Sequence, residues 1–263
     1  MLEEGYFDPS KITIRKIDKY LAKEMIVKNH YSHKWSLCNI AYGIFYITDK
    51  RCEFFDGFEE KLIGTLVYGG PVGRSAALSI SPSVKIDEVI ELTRLFIHDG
   101  QNYGKNIESF CISQSLKLLK KDFPEIKVVI SYSDEEMGHR GVIYQSANFL
   151  FLGRNSDTNL MPNFSVSLTG PPDYRWMHSR SVFSKYGSHN IPHLKKKIAK
   201  NFWRKKEAGK LKYIYIISNK KIKREILKTL KMKILPYPKK CNYEENIEKI
   251  EVVYNLQENQ FFG

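Results

Sequence analysis

The sequence predicts an α/β (or α+β) protein with a central mixed sheet flanked by helices and a basic C-terminal extension. Three observations predict it. Segments rich in Ile, Val, Tyr and Phe at strand length alternate with stretches whose apolar residues recur at helical spacing. One strand opens through a Gly-containing loop into a helix and then a buried-looking strand, the order of a βαβ unit. The charge balance shifts abruptly after Pro171-Pro172.

Ile12, Ile14 and Ile17 mark a first strand-like run. Asp18 is placed to cap a helix reaching about Lys28, in which Leu21, Met25 and Ile26 recur at helical spacing. Residues 41–48 and 62–68 read as strands, the second ended by Gly69-Gly70-Pro71. Residues 89–98 read as a third, with Leu92, Arg94 and Phe96 on alternating positions. After the loop 99–105, a helix is expected from about Asn106 to Lys121, with Pro124 closing it. Residues 126–132 then form a strand, 141–149 a short helix, and 149–152 and 164–168 further strands. Beyond residue 173, Leu194, Ile198 and Phe202 repeat every fourth residue, which predicts an amphipathic helix over 192–206. A strand at 213–217, a basic helix over 219–232 and a Pro-rich exit over 234–240 follow. The expected organisation is therefore a catalytic domain over 1–173, a basic extension over 174–240 packed on it, and an acidic tail over 241–263.

The net charge of +13 is concentrated. Residues 1–173 hold 20 Lys and Arg against 22 Asp and Glu. Residues 174–240 hold 21 against only Glu207 and Glu225. Such a field attracts polyanions by neutralising phosphates and releasing counterions, so nucleic acid is the expected partner. The cations expected to meet it are Arg175, Arg180, Lys195, Lys196, Lys197 and Arg204. Cys38, Cys52, Cys111 and Cys241 form no C-x-x-C or zinc-finger spacing, which reads as free thiols in a reducing cytoplasm. The acidic N-terminus shows no secretory signal, and no apolar run is long enough for a membrane span.

Three segments carry functional groups. Ser131-Tyr132-Ser133-Asp134 and Gly138-His139 follow an apolar strand, at the kind of strand end where ligands gather. Asp134 there either holds or deprotonates a substrate amine or caps the next turn. His30-Tyr31 and His33 follow the first helix, where they point a proton acceptor and a ring into a cleft or merely end the helix. Two histidines three residues apart with no third ligand nearby are a weak metal signal. Arg94, inside an apolar strand, needs an anion or carbonyl partner, such as Glu91, Asp134 or a ligand. Asn106 and Ser109 lie where the polar end of that ligand would arrive, at a helix start whose free amides suit an anion.

In their joint order these pieces resemble phage DNA-modification proteins of the Mom type. The matching pieces are His30-Tyr31-Ser32 with Trp35; Leu92-Thr93-Arg94-Leu95; Asn106 with Glu108-Ser109; and Ser131-Tyr132-Ser133-Asp134 with Gly138-His139, Gly141, Ile143-Tyr144-Gln145-Ser146 and Gly153. Met177-His178-Ser179-Arg180-Ser181, Lys185-Tyr186-Gly187 and Pro236-Tyr237-Pro238-Lys239 continue the likeness, which spans most of 28–240. The resemblance implies a fold related to the GNAT acyltransferases. It also implies conversion of adenine in DNA to an N6-carbamoylmethyl form that protects phage DNA from host nucleases. By resemblance, His30, Tyr31, Arg94, Ser109, Asp134 and Tyr144 fall on functional positions. The usual GNAT pyrophosphate loop, Arg/Gln-x-x-Gly-x-Gly/Ala, is changed here. Gln101-Asn102-Tyr103-Gly104-Lys105-Asn106 keeps the Gln and the first Gly, Gly104, but ends in Asn, which counts against ordinary acetyl-CoA binding.

Adenine N6 is a poor nucleophile because its lone pair is delocalised. Its attack calls for a proton acceptor, for which Asp134 is the first choice with His30 or Tyr144 as relay. A paired base must also be flipped out against an aromatic wall, for which Tyr31, Trp35 and Tyr144 are available. The donor stays open between acetyl-CoA, an amino-acid-derived donor and an activated aminoacyl carrier, and no metal is fixed. Two other functions fit the same sequence: an ordinary GNAT-like N-acyltransferase of protein or metabolite amines, and a non-catalytic nucleic-acid-binding protein on a decayed enzyme fold.

Overall fold

The computed structural model describes residues 7–53, 56–71, 74–98, 103–154, 163–241 and 244–252. The chain divides into two compact units: Met1–Arg154 with Lys210–Lys240, and Asn155–Gly209 with Cys241–Gly263.

The larger unit is built on a seven-stranded mixed sheet. Its strands are β1 (Ile12–Lys16), β2 (Ile40–Arg51), β3 (Phe58–Gly69), β4 (Val89–Ile97), β5 (Val128–Ser133), β6 (Leu150–Arg154) and β10 (Leu211–Ile216). They lie in the order β1-β2-β3-β4-β5-β10-β6. Every neighbouring pair is antiparallel except β4 and β5, which are parallel and joined by helix α3 (Ile107–Asp122). A parallel pair needs such a crossover because its two ends lie at opposite edges. The α/β class with a central mixed sheet is therefore as the sequence predicts. Alternation along the strands separates two faces. Tyr42, Tyr68, Val129 and Phe149 pack with Ile112, Leu116 and Leu119 of α3. Val128, Ile130 and Ile214 pack instead with α2 (Arg74–Leu78) and α7 (Lys220–Lys228). Ala41 and Val67 receive Ala22 and Ile26 of α1 (Lys19–Asn29), which Asp18 caps through the Tyr20 amide as expected. Lys212 of β10 is buried and donates to the Ala76 carbonyl and to Ser79 Oγ; burial pushes its ammonium down to about 8.

The smaller unit has a four-stranded antiparallel sheet, β11-β9-β7-β8, from β7 (Phe164–Ser167), β8 (Trp176–Met177), β9 (Phe202–Lys206) and β11 (Ile247–Ile250). Val166, Phe202 and Ile250 pack with Val182 of α5 (Ser179–Tyr186) and Leu194 of α6 (Ile191–Ile198). Glu207, just past β9, accepts from Ser165 Oγ and from both the amide and hydroxyl of Ser179, which fixes the start of α5.

Three expectations are corrected. The boundary at 173/174 does not hold, because β10 completes the larger unit's sheet between β5 and β6 and takes 210–240 with it. The helix over 192–206 ends at Ile198, where Ala199 turns left-handed (φ 50°), and Phe202 reaches its core from a strand. The acidic stretch after 240 is no mere tail. Its β11 pairs with β9, Glu248 meets Arg204 at 2.6 Å and Glu245 meets Lys205 at 3.0 Å. Acidic side chains thus face basic ones across a pairing between residues about forty apart.

Candidate active site

Strands β4 and β5 are ladder partners only from Val89 to Glu91 on one side and Val128 to Ile130 on the other. Beyond that point β4 follows β3 and β5 follows β10, so the parallel pair comes apart. Ser131 Oγ donates to the Leu92 carbonyl at 3.1 Å where the pairing stops. Past the parting the edges of β4 and β5 that face each other are no longer ladder partners, the physical reason why ligands gather at strand ends of this kind.

Four elements bring functional groups here. The end of α1 supplies His30 and Tyr31, with ring centroids 4.2 Å apart. Their loop is held on the edge of β3 because Gly69 has no side chain; a Cβ there would collide with the Leu37 carbonyl. Strand β4 supplies Arg94, whose Nε donates to the Lys34 carbonyl and whose Nη1 donates to the Thr93 carbonyl. Its partners among the described residues are thus carbonyls, not the carboxylates of Glu91 or Asp134. The end of β5 supplies Asp134, and helix α4 (Val142–Ser146) supplies Tyr144. Gly141 enters that helix at φ 72° with Tyr213 pressed against it, so a Cβ there meets both strain and collision.

Electrostatics tie these groups together. His30 is held down to about 4, chiefly by burial and then by the Arg94 charge and by His33 and His139. Its ring is therefore neutral at pH 7. The Ser32 amide donates to Nδ1, which puts the ring proton on Nε2 and makes His30 a donor in this arrangement. Burial raises the Tyr31 phenol, Asp134 raises it further, and Arg94 opposes them. Burial pushes Tyr144 up to about 12; a hydrogen bond with Ser131 works against this, and Tyr31, Glu91 and Arg94 act at longer range. Both phenols are thus proton donors at neutral pH.

Of the two sequence expectations for Asp134, the structure shows the cap. Asp134 caps the turn Glu135–Met137 by accepting from the Glu136 amide at 3.1 Å, and its charge is felt at Tyr31. Its second oxygen lies 3.5 Å from Lys210 Nζ. Glu135, buried beside it, takes Arg154 Nε and Nη2 on one oxygen at 2.6 Å and anchors the turn.

His30, Tyr31, Arg94, Asp134 and Tyr144 therefore come together. Gly104, Asn106 and Ser109 lie at and just before the start of α3. Gly104 and Asn106 have positive φ, Asn106 makes no side-chain cap, and Ser109 Oγ donates to the Asn106 carbonyl. Gln101 and Asn102 lie outside the described residues. Trp35 packs on Ala22 and Ile26 of α1 and on Ala41 and Val67. Arg175, Arg180, Lys195, Lys196, Lys197 and Arg204 all belong to the smaller unit. Among the described residues the first five have no ion pair, whereas Arg204 is tied to Glu248 and lies 4.5 Å over the Phe164 ring. Sequence reasoning did not single out Lys210, and it named Glu91 only as a partner for Arg94 and His139 only within a Gly-His pair. Lys210 reaches Asp134 only through the pairing of Leu211 with Ser133. The His139 ring stands edge-on to Tyr31 at 5.5 Å, and its Gly-His context read as a turn. Glu91, buried on β4, acts on Tyr132 and Tyr144. Among the described residues no three His, Cys, Asp or Glu side chains gather in a way that would hold a metal ion.

A mixed sheet whose parallel strands part beside a histidine, two phenols, a guanidinium and a carboxylate has the make-up of an α/β enzyme. Residues 11–239 match the model of the Mom protein family, and the chain belongs to that family. It is 26% identical over 237 residues to methylcarbamoylase Mom of Escherichia phage Mu, covering 89% of this chain and 86% of that one. Similar solved structures include Arabidopsis thaliana NAA60 in complex with acetyl-CoA, 10% identical, covering 78% of this chain and 99% of that one at a TM-score of 0.41. Spermidine N-acetyltransferase from Vibrio cholerae in complex with CoA and spermine is 9% identical, covering 79% and 96% at a TM-score of 0.38.

Proposed function

We propose that this protein is a transferase that attaches a small group, carbamoylmethyl, to N6 of adenine in DNA. The observation that carries the reading is the meeting of His30, Tyr31, Arg94, Asp134 and Tyr144 where β4 and β5 part, in a chain of the Mom family. The target adenine leaves the duplex, because N6 is paired inside it, and rests against the rings of Tyr31 and Tyr144. A bond forms from N6 to the carbon of the transferred group, the donor's leaving group departs, and the N6 proton passes to the Asp134 carboxylate. Lys210 and the turn anchored by Glu135 hold that carboxylate in place. Arg94, fixed by two carbonyls, faces charge that develops on the donor, and His30 donates through Nε2. Gly104, Asn106 and Ser109 hold the donor's polar end at the helix start. The exposed cations of the smaller unit bind the phosphates. Modification of this kind protects phage DNA from restriction in the cytoplasm of an infected or prophage-bearing bacterium.

Mass spectrometry of nucleosides from DNA co-expressed with the protein tests this. A carbamoylmethyl increment on deoxyadenosine is expected. Unmodified DNA that the protein nevertheless binds tightly overturns the transferase reading in favour of a binding protein, and an increment on protein or metabolite amines alone overturns the DNA substrate.

A further inference from the structure

A groove of about 550 Å³ runs between α1 and the loop that follows it, lined by Lys19, Tyr20 and Lys23 on one side and residues 35–38 on the other. That volume lies within the range of small-ligand pockets. Tyr20 is 77% exposed and Leu37 63%, so two large apolar surfaces face water in the same groove. Trp35 is seated on Ala22, Ile26, Ala41 and Val67, which fixes its ring. Two ammonium groups line the groove and no carboxylate does. Neither lysine has an ion-pair partner among the described residues. Exposed and fixed rings next to unpaired cations match one ligand chemistry: a planar aromatic base carrying a phosphate.

The same loop connects the groove to the active site. It begins with His30 and Tyr31 and reaches Trp35 four residues later, a span of at most roughly 13 Å of extended chain. We infer that this groove seats one nucleotide of the DNA flanking the target adenine, its base on Tyr20 and Trp35 and its phosphate on Lys19 and Lys23. This deepens the DNA reading above and rests on it. A nucleotide held here fixes the strand beside the extruded adenine and makes binding sensitive to one flanking position.

The test uses the full-length protein and fluorescence anisotropy at one salt concentration. The substrates are duplexes in which each nucleotide flanking the target adenine is in turn made abasic. One position should weaken wild-type binding about tenfold, within the range of a single base–aromatic stack. The variant Lys19→Gln/Tyr20→Ala/Lys23→Gln, altered only at exposed side chains, should bind the intact duplex about tenfold more weakly and ignore that abasic position. Tyr20→Phe should retain the wild-type pattern. Wild-type affinity in the triple variant, or an equal loss on every abasic duplex, overturns the groove assignment. Protein that modifies adenine without this coupling refutes the groove alone, whereas protein with the coupling that leaves adenine unmodified refutes the adenine reading alone.

Discussion

The active-site cluster and the smaller unit use charge in opposite ways. Where β4 and β5 part, single groups are set among aromatic rings: one guanidinium on two carbonyls, one carboxylate on a turn, one neutral imidazole. In the smaller unit, Lys195, Lys196 and Lys197 follow one another on one short helix, α6, while Arg204 and Lys205 of β9 are already matched by Glu248 and Glu245. The first arrangement makes each group hard to replace, since a poorly hydrated charge or donor acts strongly and at one place. The second makes each group a fractional contributor, because exposed charges act through a screened common field. Sequence charge counts treat both kinds of cation alike. Arg204 and Lys196 both look like DNA contacts in a list, yet Arg204 is tied to Glu248 while Lys196 has no ion pair among the described residues.

The largest effect expected is at Asp134. Asp134→Asn keeps the cap, because asparagine caps as well as aspartate, but cannot take the N6 proton. It should fold, bind DNA and lose about a hundred- to ten-thousand-fold in modification rate. Near-normal modification with an unchanged thermal melt would assign Asp134 to the turn alone. Arg94→Lys comes next. It retains the charge but not the fixed fork, so modification should fall about ten- to hundredfold while stability stays close to wild type, as judged by a thermal melt beside the assay. Equal activity would place Arg94 outside the chemistry.

On the other side of the comparison, reversing Lys195, Lys196 and Lys197 together to Glu should leave the turnover of bound DNA in place. It should flatten the dependence of log affinity on log salt by roughly 2 to 3, about 0.9 for each lost phosphate contact. The same reversal on Lys220, Lys221 and Lys223 of α7 in the larger unit sharpens the contrast. An unchanged slope for the first set and a changed one for the second would move DNA binding to the larger unit. The smallest effect concerns His30. Its folded pKa of about 4 lies below the ordinary 6.5, so the unfolded chain binds more protons between those values. Stability should therefore fall as pH drops through that window and be indifferent to His30 above it. Melts of wild type and His30→Gln from neutral pH downward should diverge in slope there, and parallel curves would show that burial does not hold the imidazole neutral.

The sequence by itself determined the local elements and most of the chemistry-bearing positions. Residue period set β1 to β5 and α3, Asp18 announced the start of α1, and the resemblance to Mom-type proteins pointed to His30, Tyr31, Arg94, Asp134 and Tyr144 together. What tertiary structure decided is where distant segments pair. Leu194, Ile198 and Phe202 fit a helix equally well until β7 and β11 claim Phe202 as strand. The basic stretch reads as one body, yet ten of its cations precede Lys210 and eleven lie from Lys210 onward, and the sheet takes the second group into the larger unit. Lys210 meets Asp134 only because β10 lies against β5. Helical and strand periods are local signals, whereas strand order depends on contacts between residues far apart in the chain, which no window of sequence contains.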